Sequence, residues 1–276
     1  MRLPFVQVDA FADGPFTGNP AAVMMLPHWL PDAVLQGIAA DNNLSETAFL
    51  VPSDGPVHFD LRWFTPTAEV AMCGHATLAS GHVVLDALPD LQEVKFQTRQ
   101  SGVLAVARAG DGYDLMLPVR AVERELTAAE AAPVAVALGG APAQVFVRGQ
   151  DYMVALFDSP DQVRALRPDR QAILALAPGI DMMLIATAPG EDTDVLSRVF
   201  VPGCGVDEDP VTGSAHAVLA PFWAARFGRN RFTAQQASTR GGRMLCQHLG
   251  DHVILTGQAR TVIRGEYDLP DAALPG

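Results

Sequence analysis

Apolar and polar residues alternate over residues 5–11 until Asp13-Gly14-Pro15 breaks the pattern, and this predicts a first strand. A turn at Gly18-Asn19-Pro20 leads into a second strand over 21–26. Pro31 then opens a helix in which Val34 and Ile38 recur at helical spacing as far as Asn42. Short strands follow at 47–51 and 59–65, the latter with Leu61, Trp63 and Thr65 on one face. The next helix spans about 74–85, with Leu78, His82 and Leu85 on one side, and strands at 94–98, 103–108 and 113–117 complete the first half. The Ala/Pro/Glu-rich stretch 121–133 interrupts this order and reads as a linker. Beyond it come strands at 144–148 and 152–157, a helix over 169–176, and strands at 182–186 and 195–201. A helix over 213–227 and three closing strands before Leu269 end the chain. Many short strands with one prominent helix per half predict an α+β fold of two similar lobes. The lobes are expected at 1–120, joined by a final strand at about 260–276, and at 121–259.

The halves also resemble each other in sequence. Arg62-Trp63-Phe64-Thr65-Pro66 precedes Cys73-Gly74-His75-Ala76, and Arg198-Val199-Phe200-Val201-Pro202 precedes Thr212-Gly213-Ser214-Ala215. Both units read Arg-x-Phe-x-Pro, a loop, and then x-Gly-x-Ala at the start of an apolar helix, as a duplication would leave them. The alignment pairs Cys73 with Thr212 and His75 with Ser214. Two lobes related in this way would each present a helix start with free backbone N–H groups and the positive end of a dipole. Facing one crevice, Gly74 and Gly213 would form a carboxylate site that needs no lysine.

That economy matters because 31 acidic residues against 19 basic ones leave a formal charge of −12, and Lys95 is the single lysine. No basic stripe exists to displace counterions, so nucleic acid is excluded as a partner, and an anionic membrane surface is disfavoured. With 49% apolar and 18% charged residues the chain has the composition of a folded protein rather than a disordered one. Three well-separated cysteines (Cys73, Cys204, Cys246) form no disulfide framework, and the opening residues lack the apolar core of a signal peptide. A cytoplasmic location without a membrane anchor is the expectation. No dinucleotide fingerprint, Walker loop, H-E-x-x-H or nucleophile elbow occurs, so no cofactor and no metal is expected. Asp207, Glu208, Asp209 and His216 fit no ligand spacing for a divalent ion.

Four motifs occur in order across nearly the whole chain: V-D-A-F-x-x-x-P-F-x-G-N-P-A-A-V from Val8, N-L-S-E-T-A-F from Asn43, C-G-H-A-T-L-A from Cys73 and D-E-D-P-V-T-G-S-A-H from Asp207. Together with the closing G-Q-A-R-T-V-I-R-G-E, they resemble the PhzF-like isomerases of phenazine biosynthesis, relatives of diaminopimelate epimerase. The resemblance implies two pseudo-symmetric lobes, each a barrel-like, mostly antiparallel sheet around a central helix, with the active site in the cleft between them and a homodimer as the assembly. It implies cofactor-independent proton transfer on a small carboxylic carbon acid, with Glu46 as the acid/base. His75, Asp209 and Ser214 match the family's polar site residues, and Gly74 and Gly213 its two helix starts.

Read as chemistry, Glu46 with apolar neighbours Leu44 and Phe49 is a sheltered carboxylate that can take and return a proton. His75 is expected to position substrate or to hold Glu46, Asp209 to pair with a substrate amine or hydroxyl, and Ser214 to donate to a carboxylate. A two-base racemase would need a thiol opposite Cys73, and Thr212 stands there instead, so Cys73 reads as a small, partly buried residue. An amino-acid racemase or epimerase and a non-catalytic metabolite-binding protein are the two competing readings. Asn19 reads only as part of a turn.

Overall fold

A computed structural model describes residues 1–176 and 182–270. It divides into two compact units, Met1–Leu117 together with the stretch from Thr256 onward, and Pro118–Leu255. The last six positions of the expected final strand lie outside the described residues.

The first unit contains β1 (Arg2–Ala10), β2 (Asn19–Met25), α1 (Asp32–Asn42), β3 (Glu46–Pro52), β4 (Phe59–Phe64), β5 (Glu69–Val70), α2 (Gly74–Ala87), β6 (Glu93–Thr98), β7 (Val103–Ala109) and β8 (Gly112–Pro118). Most neighbours pair antiparallel, but β2–β3 and β4–β6 are parallel, because a helix crosses over within each of these pairs. β3 is buried along nearly its whole length, since α1 covers it through Leu35 and Ile38 against Phe49 and Phe64 while α2 packs against it as well. That double cover explains a continuous apolar run where a half-exposed strand would alternate. β6 does alternate, with Val94, Phe96 and Thr98 turned inward.

α2 is the central element of this unit. It lies against β1, β2, β3, β6 and β7, and its residues from Gly74 to Gly81 are all buried. A helix surrounded by sheet must be apolar on every side, and hence carries little amphipathic signal. Gly81 is required by close approach: a Cβ there would stand 2.3 Å from Val106 Cγ1.

The second unit repeats this plan. After β9 (Arg124–Glu125) and α3 (Ala128–Leu138) come β10 (Gln144–Arg148), β11 (Tyr152–Leu156), α4 (Pro160–Ala165), α5 (Arg170–Leu176), β12 (Met183–Pro189), β13 (Val195–Val201), β14 (Val206–Asp209), α6 (Gly213–Phe227), β15 (Arg231–Gln236), β16 (Gly242–Leu249) and β17 (His252–Gly257). β11–β12 and β13–β15 are the parallel pairs, as β2–β3 and β4–β6 are in the first unit. α6 is central here, with Phe222 against Phe146 of β10, Phe227 against Phe232 of β15, and Trp223 Nε1 donating to Thr187 Oγ1 of β12 at 3.1 Å. The last strand, β18 (Ala259–Asp268), pairs antiparallel with β1 and so belongs to the first unit.

The repeat extends to single bonds. Arg62 grips Glu69 through Nε and Nη2, and Arg198 grips Glu208 in the same way. Ser101 Oγ donates to Ala71 O in one unit, and Ser238 Oγ donates to Pro210 O in the other. The 3₁₀ turn Pro202–Cys204 has three residues and matches the longer interval of the second unit. Such correspondence of strand order, parallel pairs and side-chain bonds is what a duplicated unit retains.

Two expectations need correction. The stretch 121–133 is not an unstructured linker, because it contains β9 and the start of α3. Its Ala and Glu residues are helix formers, and Thr127 with Glu130 forms a capping box that starts the helix. Pro133 lies inside α3 and forgoes one helical bond there. Four strands rather than three follow α6, since the run before Leu269 folds back as both β17 and β18. The two-residue strand β5, the four-residue strand β14 and the six-residue helix α4 are too short for periodicity to show.

Candidate active site

Glu46 is the first residue of β3, its Cα paired with Ala21 of β2. Its side chain is 16% exposed and approaches His75, 3% exposed on the first turn of α2, at 3.0 Å between Oε2 and Nε2. The contact is short but not aligned as a hydrogen bond, and among the described residues neither atom has another hydrogen-bonding partner. A buried carboxylate oxygen left unsatisfied by the protein retains its capacity to accept a proton.

The other ring nitrogen of His75, Nδ1, lies 3.1 Å from Asn19 Nδ2 and 3.5 Å from Cys73 Sγ. Asn19 and Cys73 are thus site residues that the sequence reading missed. Asn19 is fully buried at the start of β2, immediately after Gly18 at φ +81°, where a Cβ would meet Ala10 O at 2.6 Å. The turn is real, and its glycine delivers the asparagine beneath α2. Cys73 precedes the first helical residue and is buried, so it belongs to the constellation. Burial, with Glu46 adding to it, pushes its thiol up to about 11, and it remains protonated at neutral pH.

A carboxylate oxygen, the thiol sulfur and an imidazole nitrogen here lie within 4.8 Å of one another, as ligands of a metal could. Yet Glu46 and Cys73 make their short contacts with opposite ring nitrogens. The two groups therefore bracket the imidazole from either side rather than converging with it on one point.

In the second unit Met183 holds the position of Glu46: it is the first paired residue of β12, opposite Tyr152 of the parallel strand β11. Ser214 holds that of His75, and its Oγ reaches Met183 Sδ at 3.5 Å. Thr212 replaces Cys73 before the helix, and His216 bonds back to Thr212 O at 2.8 Å as Thr77 does to Cys73 O at 2.5 Å. Asp209 is 7% exposed at the end of β14; its Oδ2 accepts from Thr212 Oγ1 at 2.5 Å and its carbonyl accepts from Gln236 Nε2 at 2.6 Å. Tyr152 and Arg120 complete this end of α6, the guanidinium 5.7 Å from the ring centroid. Burial raises the Tyr152 phenol, while Arg120 and Ser214 oppose the shift. Sequence spacing identified neither residue.

Gly74 and Gly213 do open their helices, and neither helix has a side-chain N-cap bond. The four residues weighed against a metal reading are engaged separately: Asp207 with Arg170, Glu208 with Arg198, Asp209 with Thr212, and His216 with Thr212 O.

His216 gives a pH prediction. Burial lowers its imidazole to about 4, although its bond to Thr212 O pulls upward. The folded pKa is thus below the unfolded value of about 6.5. Between these values the unfolded chain binds a proton that the folded chain refuses, and stability rises with pH. The stabilisation is complete above about pH 6.5 and is lost as pH falls towards 4. Relative to His216→Asn, the wild type is expected to lose about 2 kcal/mol of unfolding free energy between pH 7 and pH 5. Urea titrations at both pH values check this, and an unchanged difference contradicts it.

A model of the phenazine biosynthesis-like protein family, PhzC-PhzF, matches residues 8–265. The chain belongs to this family. An uncharacterized isomerase of Pseudomonas aeruginosa is 45% identical over 271 residues, covering 98% of this chain and 100% of the relative. An uncharacterized isomerase of Halalkalibacterium halodurans is 41% identical over 272 residues, 96% and 98% of the two chains. The crystal structure of a PhzF-family phenazine biosynthesis protein from Enterococcus faecalis superposes with a TM-score of 0.87 at 40% identity, covering 98% of this chain and 100% of that one. The chain is thus a PhzF-like enzyme of an isomerase family, with the α+β fold expected of it. Among the described residues no helix is long and apolar enough to cross a membrane.

Proposed function

We propose that the protein is a cofactor-independent isomerase in which Glu46 takes a proton from one carbon of a small unsaturated carboxylic acid and returns it to another. The observation that carries this reading is the sheltered Glu46 carboxylate in 3.0 Å contact with His75, one oxygen left without a protein hydrogen bond. A carbon acid is weak, so the base must be shielded from water and the charge that develops must meet donors. His75, Asp209, Ser214 and the backbone at Gly74 and Gly213 are the proposed substrate-binding groups. The family resemblance extends the proposal to a homodimer working in the cytoplasm.

The repeat favours one base over two. A racemase of the two-base kind needs an acid and a base of similar reach, whereas the equivalents of Glu46 and Cys73 are Met183 and Thr212, neither of which exchanges protons near neutral pH. The test is a screen of small unsaturated and hydroxylated carboxylic acids in deuterated water, followed by NMR. With the acid that reacts, a single turnover is expected to leave part of the product carrying the original proton. Product labelled wholly from solvent contradicts the single-base shuttle.

A further inference from the structure

His75 has three close neighbours, and their chemistry limits how many protons the ring can hold. Glu46 Oε2 faces Nε2 at 3.0 Å, while Asn19 Nδ2 and Cys73 Sγ both face Nδ1, at 3.1 and 3.5 Å. An amide nitrogen can only donate, and the buried thiol keeps its own proton. A ring nitrogen facing donors presents its lone pair. The proton of the neutral ring then belongs on Nε2, against the carboxylate.

Electrostatics pull in another direction. Burial disfavours the imidazolium, but the Glu46 carboxylate and the contact with Cys73 oppose it, and the ring is shifted upward. Cys73 and Glu46 act on the ring, and β1, also packed on α2, carries the buried carboxylate of Asp9. A second proton would have to enter at Nδ1, where the amide of Asn19 already points its hydrogens. Two donors opposed at 3.1 Å in a buried site repel each other and oppose that second proton. The opposite orientation of the amide, with oxygen on Nδ1, would instead favour the imidazolium. The two orientations therefore correspond to two proton counts.

We infer that Asn19 is a positioning residue that fixes His75 as the neutral Nε2–H tautomer, so that the Glu46–His75 pair carries one ring proton and leaves Glu46 as the acceptor. The catalytic consequence rests on the acid/base reading of Glu46; the tautomer does not. A ring already doubly protonated would be a second acid beside the substrate and would let solvent label enter. A neutral ring steadies the carboxylate while the substrate's proton moves onto it and off again.

The test needs no substrate. Protein carrying ¹⁵N-labelled histidine is examined by long-range ¹H–¹⁵N correlation from about pH 6 to pH 8, and the His75 signals are assigned by their loss in His75→Gln. The wild type is expected to show a protonated Nε2 and a bare Nδ1 throughout. Asn19→Asp places a carboxylate on Nδ1 and should convert the ring to imidazolium, raising its titration by roughly 1–3 pH units. Cys73→Ala should leave the wild-type tautomer unchanged. A wild-type ring protonated on both nitrogens, or on Nδ1 alone, overturns the inference, as does a tautomer that follows Cys73 rather than Asn19. The wild-type spectrum decides even if a variant fails to fold. Absence of any deuterium exchange would count against the isomerase proposal while leaving the tautomer result intact.

Discussion

Glu46→Gln is expected to slow carbon–proton exchange by at least about 10²-fold, and by as much as 10⁴-fold if the carboxylate is the sole acceptor. The substitution keeps the length and shape of the side chain at the start of β3, so its approach to His75 persists. It removes the one atom that can receive a proton, since an amide oxygen is too weak a base for the task. Substrate affinity should change little, because binding is assigned to other groups. Isothermal titration with the reacting acid, alongside the rate of deuterium incorporation, separates the two effects. A variant that binds and still exchanges at the wild-type rate removes Glu46 from the mechanism. A variant that loses binding and exchange together makes Glu46 a binding residue. Glu46→Asp retains the chemistry but withdraws the oxygen from His75, so a partial loss is expected.

Arg62→Met is expected to destabilise the fold by about 3 kcal/mol, the largest stability effect foreseen here. Arg62 is 3% exposed, and its Nε and Nη2 donate to both oxygens of Glu69 at 2.8 and 2.7 Å while Nη1 donates to Asp32 at 2.9 Å. Its guanidinium also lies over Trp29 and Phe64, 5.2 and 4.9 Å from the ring centroids. Methionine fills much of the volume, so the loss reports the broken ion pairs rather than a cavity, with Arg99 left as the partner of Glu69 at 3.2 Å and of Asp32 at 3.8 Å. The figure is placed at the low end of the range for buried pairs because Asp32 is 64% exposed and can turn to water. Arg62→Lys should fall between the two, since an ammonium cannot reproduce the fork on Glu69. Urea midpoints measure the series, and a loss below about 1 kcal/mol would show the pair to be worth no more than a surface bridge.

The site shows what sequence patterns reveal and what they hide. Glu46, His75, Asp209 and Ser214 stand out as candidates because they fall inside motifs that resemble a family. Asn19 also lies in one of those motifs, but G-N-P is a turn signal in its own right, and nothing local says that the amide turns inward. In sequence Cys73 reads as one half of a thiol pair whose other half is missing, since Thr212 stands at the matching position. Its contact with His75 Nδ1 depends on the curl of the first helical turn rather than on spacing. Met183 carries no sequence signal, since its equivalence with Glu46 exists only in the pairing of β12 with β11. For 121–133 composition misled, because alanine and glutamate between prolines suit a linker and a capped helix equally.

By itself the sequence determined what short-range physics controls: α2 and α6 with their glycine starts, most strands, the duplicated Arg-x-Phe-x-Pro units and the net acidity of the chain. These depend on periodicity and residue chemistry over a few positions, and that information is local. Tertiary structure alone decided which side chains meet. The strand pairs β2–β3 and β4–β6 are parallel and bridge long stretches of chain, and it is their register that sets Glu46 against His75, as the register of β11–β12 sets Met183 in its place in the second unit. Register across a crossover is chosen by how the whole core packs, and a one-residue slip would turn Glu46 to the opposite face.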